Sequence, residues 1–79
     1  MKVTLTAYGI AREILKGKTQ EFEFEGQTIG DLKVALINRF PKFSKLRSLS
    51  FAISENYQPD SWALTENEEV VVIPPVSGG

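Results

Sequence analysis

The chain has 79 residues, with nine Lys and Arg against ten Asp and Glu, a formal net charge of −1, and no Cys or His. That length allows one small domain with a modest core. The missing Cys excludes a disulfide framework, a thiolate metal site and a cysteine persulfide, and the missing His removes the usual general base. A near-neutral charge gives no electrostatic reason to bind nucleic acid, and no stretch approaches membrane-spanning length. The opening Met1-Lys2-Val3-Thr4 lacks the apolar region of a signal peptide, so the expectation is a cytoplasmic domain with no membrane contact.

Lys2 to Tyr8 alternates, with Val3, Leu5 and Ala7 on one side and Thr4, Thr6 and Tyr8 on the other, which predicts a half-buried strand. Ile10, Ala11, Ile14 and Leu15 recur at helical spacing and predict a short helix or turn closed by Gly17. Thr19 to Glu25 alternates again, with Phe22 and Phe24 toward the core and Glu21, Glu23 and Glu25 toward water. Thr28 suits an N-cap and Asp31 follows it at capping-box spacing. Ile29, Leu32, Ala35, Leu36 and Phe40 then share one helical face until Pro41 stops the helix.

Leu49 to Ile53 predicts a third strand, and Asn56 to Asp60 reads as a turn. Ser61 to Leu64 reads as a short strand or ordered loop, and Thr65 to Glu68 as a turn into a last strand, Glu69 to Ile73. One main helix packed across one face of a mixed sheet of four to five strands satisfies this order, in an α+β fold of the β-grasp kind. The first and last strands would pair in parallel, with the helix in the crossover between them. The whole chain is expected to be one domain, with residues 74–79 as a projecting tail.

In the last strand Val70 and Val72 point one way and Val71 and Ile73 the other, and both sets are apolar. A helix covers only one face of a sheet. The other, which Tyr8 would share, is left with apolar surface of the kind that marks a partner site.

Some motifs carry nothing. Gly17-Lys18-Thr19 resembles the end of a phosphate loop, but Arg12 stands where the pattern needs Gly, and a strand follows instead of a helix. Lys42, Lys45 and Arg47 form a small basic cluster suited to solvent or an acidic partner. Glu66, Glu68 and Glu69 read as a solvated turn, and Trp62 as a loop anchor.

The closing Pro74-Pro75-Val76-Ser77-Gly78-Gly79 carries the most chemistry. Two prolines fix φ and direct the chain off the domain. A Gly-Gly end has no Cβ and leaves the terminal carboxylate unshielded, able to pass down a narrow channel. With Cys and His absent, that carboxylate is the one evident reactive group.

On these residues the chain resembles the MoaD family, the small subunits of molybdopterin synthase, which are ubiquitin-like sulfur carriers. The resemblance spans the chain and is strongest in the stretch from Glu69 to Gly79. Val3 to Tyr8 followed by Arg12-Glu13, and Thr28-Ile29-Gly30-Asp31-Leu32, support it. It implies a ubiquitin-like β-grasp fold and a non-catalytic subunit, not an enzyme on its own. It implies that an E1-like (MoeB-like) enzyme adenylates Gly79 with ATP, that sulfur replaces a carboxylate oxygen, and that the thiocarboxylate enters a MoaE-like large subunit to donate sulfur to a pterin precursor. No cofactor or metal is expected on the chain itself. A heterotetramer of two small and two large subunits is implied. Gly78 would give clearance, and Tyr8, Val71, Ile73, Pro74, Pro75, Val76 and Ser77 would meet the partner. Ile73 stands where relatives often have Phe, and Asn67 where many have Gly. A Gly-Gly end by itself also fits a carrier for thiamine or tRNA thiolation, or a ubiquitin-like modifier joined through Gly79 to a lysine; Pro74-Pro75-Val76-Ser77 before it favours the molybdopterin branch.

Overall fold

The two strands with the most completely buried side chains lie side by side in parallel, Lys2–Ala7 (β1) and Glu69–Ile73 (β5), with Thr4 opposite Glu69 and Ala7 opposite Val72. The computed structural model describes residues 1–75. Between β1 and β5 run helix α1 (Gly9–Leu15), strand β2 (Thr19–Glu23), helix α2 (Ile29–Arg39), a 3₁₀ turn (Pro41–Lys45), and strands β3 (Ser50–Ile53) and β4 (Asn56–Gln58). The sheet order is β2-β1-β5-β3-β4, antiparallel except at β1–β5. This is the expected β-grasp, with β1 and β5 both interior.

Alternation decides which side chains enter the core. Val3, Leu5, Ala7, Val70 and Val72 point to the helix side and are at most 1% exposed. They meet Ile29, Leu32 and Leu36 of α2, and Phe22, Phe24, Phe51 and Ile53 from the flanking strands. Ala35 and Phe40, expected on the same face of α2, are partly buried against this cluster.

Helix α2 starts where the capping residues require. Asp31 N–H donates to Thr28 Oγ1 at 3.1 Å, and Asp31 Oδ2 accepts from Thr28 N–H at 3.1 Å and Gln27 N–H at 2.9 Å. The loop before β5 completes the cap: Gly30 N–H donates to the Asp60 carbonyl at 2.8 Å and Ile29 N–H to that of Trp62 at 3.0 Å. All four N–H groups that a helix start leaves without helical partners are thereby answered, with Leu32 N–H reaching the Thr28 carbonyl. A Cβ on Gly30 would stand 3.3 Å from the Asp60 oxygen, so the approach favours glycine.

The structure departs from the sequence reading at three places and settles a fourth, residues 61–64. Residues 56–58, expected as part of a turn, form β4, because Ser54 (φ 50°) and Glu55 (φ 68°) both adopt left-handed backbone and make a two-residue hairpin without the usual Asn-Gly. Residues 61–64 take the ordered-loop alternative, with a single bridge from Ala63 to Thr28 and Leu64 buried. The left-handed residue closing α1 is Lys16 (φ 62°), not Gly17, because burying Ala11 and Leu15 sets where the helix ends. The 3₁₀ turn inserts Phe43, 2% exposed, against the edge of the Phe40 ring with centroids 6.2 Å apart.

Candidate functional site

The face of the sheet away from α2 has no helix over it. Register assembles a row across it: Thr19, Thr6, Val71, Ala52 and Tyr57, one residue from each strand in sheet order. Beside that row Ile73 stands opposite Ser50. Val71 and Ile73 are half-buried here, whereas Val70 and Val72 on the other side are fully buried. Ala52 is 6% exposed although it faces outward, walled in by its neighbours. Tyr57 is 69% and Tyr8 51% exposed, so an apolar centre is bordered by two aromatic rings.

Tyr8 follows β1 and precedes α1, so its backbone is fixed on both sides. Lys18 Nζ lies 5.6 Å from the centroid of its ring, a cation–π contact that holds the ring at the rim. Lys18 is placed for this by its carbonyl, which accepts from Ala7 N–H at 2.7 Å. The Gly17-Lys18-Thr19 sequence thus leads into β2, as the rejection of a phosphate loop requires.

The root of the tail leaves from the same end. Because β5 runs parallel to β1, Ile73 ends beside the start of α1, and a Cβ placed on Gly9 would lie 3.9 Å from Pro74 Cγ. Pro74 and Pro75 are half-buried. Of the expected site residues, Tyr8, Val71, Ile73, Pro74 and Pro75 are therefore gathered at one corner. Val76, Ser77, Gly78 and Gly79 lie outside the described residues.

Sequence reasoning missed Thr6, Ala52, Tyr57 and Lys18 as members of this surface. Alternation in β1 placed Thr6 beside Tyr8, but nothing local tells which residues of β3 and β4 stand opposite Val71.

The acidic groups are engaged elsewhere. Glu66 Oε2 accepts from Lys2 N–H at 3.1 Å and Glu68 Oε1 from Thr65 N–H at 3.0 Å, holding the turn before β5. Asn67 in that turn has φ 65°, a left-handed position that suits Gly or Asn. Among the described residues no group of three or more His, Cys, Asp or Glu is gathered to hold a metal, and no helix is long and apolar enough to cross a membrane. The corner therefore offers an apolar contact surface with Tyr8 and Lys18 at its rim.

Residues 5–79 match the ThiS family. The chain is 31% identical over 83 aligned positions, all of both chains, to the molybdopterin synthase sulfur carrier subunit of Chlamydomonas reinhardtii. It is 38% identical over 45 residues, 56% of this chain and 47% of the relative, to the protein of the same name from Arabidopsis thaliana. Among solved structures, a candidate molybdopterin converting factor subunit 1 from Pyrococcus furiosus superposes with a TM-score of 0.83 at 23% identity, over 96% of this chain and 99% of the other. SAMP1 from Haloferax volcanii gives 0.78 at 20% identity over all of both chains, a likeness of fold.

Proposed function

The chain belongs to the ThiS family, and from that premise we propose that it is the sulfur carrier subunit of molybdopterin synthase, with the Gly79 carboxylate as its reacting group. Two relatives bear that name, one of them aligned over its full length. The observation that carries the reading is the parallel pairing of β5 with β1, which brings the tail root, Tyr8 and the apolar Val71 and Ile73 to one open corner.

The chemistry follows from a chain without Cys or His. A carboxylate is a poor electrophile until one oxygen becomes a leaving group. A Gly79 oxygen attacks the α-phosphorus of ATP on an E1-like enzyme, and pyrophosphate leaves. A partner's persulfide sulfur then attacks the acyl carbon and AMP leaves; a second thiol attacks the donor sulfur of the resulting acyl disulfide, forming a disulfide with the donor and freeing the thiocarboxylate. In the large subunit that sulfur attacks a carbon of the pterin precursor and displaces an oxygen leaving group, and water then cleaves the acyl–sulfur bond, leaving the sulfur on the pterin and restoring the carboxylate. Partners supply bases and nucleophiles; the chain supplies an unhindered acyl carbon, with Gly78 giving clearance. ATP is consumed by the activating enzyme, and the chain holds no cofactor. The open face with Tyr8, Val71, Ile73, Pro74 and Pro75 is the docking surface for the large subunit in a heterotetramer, and Val76 and Ser77 of the tail meet the same partner.

Intact-mass analysis of the protein from cells tests this. The expected result is a fraction heavier by the replacement of one oxygen with sulfur, localised to the C-terminal peptide, and lost molybdoenzyme activity when Gly79 is deleted. A ladder of other proteins joined through Gly79 to lysine would overturn it in favour of a modifier.

A further inference from the structure

We propose that the tail end of the fold carries a second docking element, a basic cleft between the C-termini of α1 and α2 that takes an acidic segment of the protein receiving the tail. It rests on the carrier reading above. Of nine Lys and Arg, all but Lys2 and Lys33 fall within residues 12–18 and 39–47, and of ten Asp and Glu all but Glu13 fall outside them. The fold puts those two basic segments together. The 3₁₀ turn packs on α1, and a cleft of about 300 Å³ is lined by Ile14, Lys16, Arg39, Phe40, Pro41 and Lys42. It lies at the tail end, because α1 begins against Pro74 and Lys18 stands over Tyr8.

Most of the acids lie away from the cleft, Glu23 and Glu25 beside Arg39 being the exceptions. Glu69 and Glu21 flank Thr4 at the start of β1, Glu66 caps Lys2 N–H, and Asp31 and Asp60 sit at the start of α2. The cleft cations thus form a positive patch, bordered by carboxylates on the Arg39 side, on the side of the fold where Pro74 meets α1.

Local structure accounts for only part of the basic cluster. Arg12 and Arg39 lie in the last turns of their helices, where a cation offsets the helix dipole. Lys16, the C-cap of α1, and Lys42 and Lys45, in the last turn of the 3₁₀ helix, also face helix C-termini, whereas Arg47 does not. Among the described residues the two ion pairs are Lys2–Glu21 and Lys33–Asp60, so none of the cleft's cations is neutralised by a carboxylate. The half-buried Ile14 and Phe40 give the cleft an apolar floor. A floor of that kind with three cations around it fits a peptide carrying carboxylates and an apolar anchor better than a bare phosphate, and nine acids elsewhere repel a nucleic acid backbone. Such a surface orients approach and raises the association rate more than it slows dissociation.

The test is stopped-flow association with the large synthase subunit of the same organism, at low and high salt, for wild type, Lys16→Glu/Lys42→Glu and Lys2→Glu/Lys33→Glu. The second double variant makes the same change of net charge away from the cleft. Circular dichroism melting confirms that each is folded, and Lys16→Gln/Lys42→Gln serves if charge reversal disturbs the fold. The expected result is association about tenfold slower for the cleft variant at low salt, a difference that shrinks at high salt, with dissociation unchanged. Equal rates for wild type and cleft variant, or equal slowing by the control pair, would overturn the cleft while leaving the carrier reading intact. No binding by wild type would overturn the carrier reading and the cleft with it. Dimerisation of wild type abolished by Lys16→Glu/Lys42→Glu would assign the cleft to a second copy, and tighter binding of a short single-stranded RNA than of the large subunit would assign it to nucleic acid; either overturns the proposal.

Discussion

Thr6 and Val71 stand opposite one another in the parallel pair at the heart of the sheet. That register puts Val71 on the open face with Ala52 and Tyr57, and turns Val72 inward. Neighbouring residues of one strand thereby serve the partner surface and the core.

This separation predicts opposite outcomes for two adjacent substitutions. Val72→Asp buries an unpaired charge and should leave the domain unfolded, a cost of at least several kcal/mol. Ile73→Asp places its charge on a half-buried outer position, and should stay folded while weakening affinity for the large subunit at least tenfold. Urea unfolding and a binding titration check both; unchanged affinity for Ile73→Asp would remove the apolar face from the docking surface.

Acid stability should depend on Asp31. Its carboxyl lies below the ordinary value of 3.8, first because it accepts from Gln27 N–H and then from Thr28 N–H. The folded state therefore favours the ionised form, so this contribution is fully present above the ordinary value and is lost as pH falls through the lower folded value. Asp31→Asn should flatten that part of the melting temperature against pH. An unaltered acid limb would show that other carboxyls govern it.

The β3–β4 turn holds two residues without glycine's freedom at positive φ. Glu55→Gly should stabilise the domain by about 1 kcal/mol, read as a higher urea midpoint with an unchanged slope. A lower midpoint would mean that unfolded-chain entropy outweighs the relieved backbone.

Phe43 is 2% exposed and belongs to the main core. Phe43→Ala should cost about 3–5 kcal/mol, and loss of less than about 1 kcal/mol would show that the 3₁₀ turn is not part of the cooperative unit.

Local rules made much of the fold legible. The alternation of β1, β2 and β5 and the Thr28 and Asp31 cap of α2 each need only a few neighbouring residues. Strand β4 was hidden because Ser54-Glu55 has no turn signature. Phe43 was hidden because a five-residue 3₁₀ turn is too short to show a periodicity. For the candidate site, Tyr8, Val71 and Ile73 could be read from strand parity, but Tyr57, Ala52 and Lys18 could not, since their neighbours are distant in sequence.

The sequence by itself withheld thiol and imidazole chemistry, since it has no Cys or His, and supplied the Pro74-Pro75-Val76-Ser77-Gly78-Gly79 segment on which the proposed reaction rests. It also determined which residues of each strand share a side, because side chains alternate across a pleated backbone. Only the tertiary structure decided where that chemistry is aimed. Pairing β5 parallel to β1 puts Pro74 beside the start of α1, and packing the 3₁₀ turn on α1 joins two basic segments into one cleft. Both are contacts between residues far apart in the chain, and no local propensity specifies them.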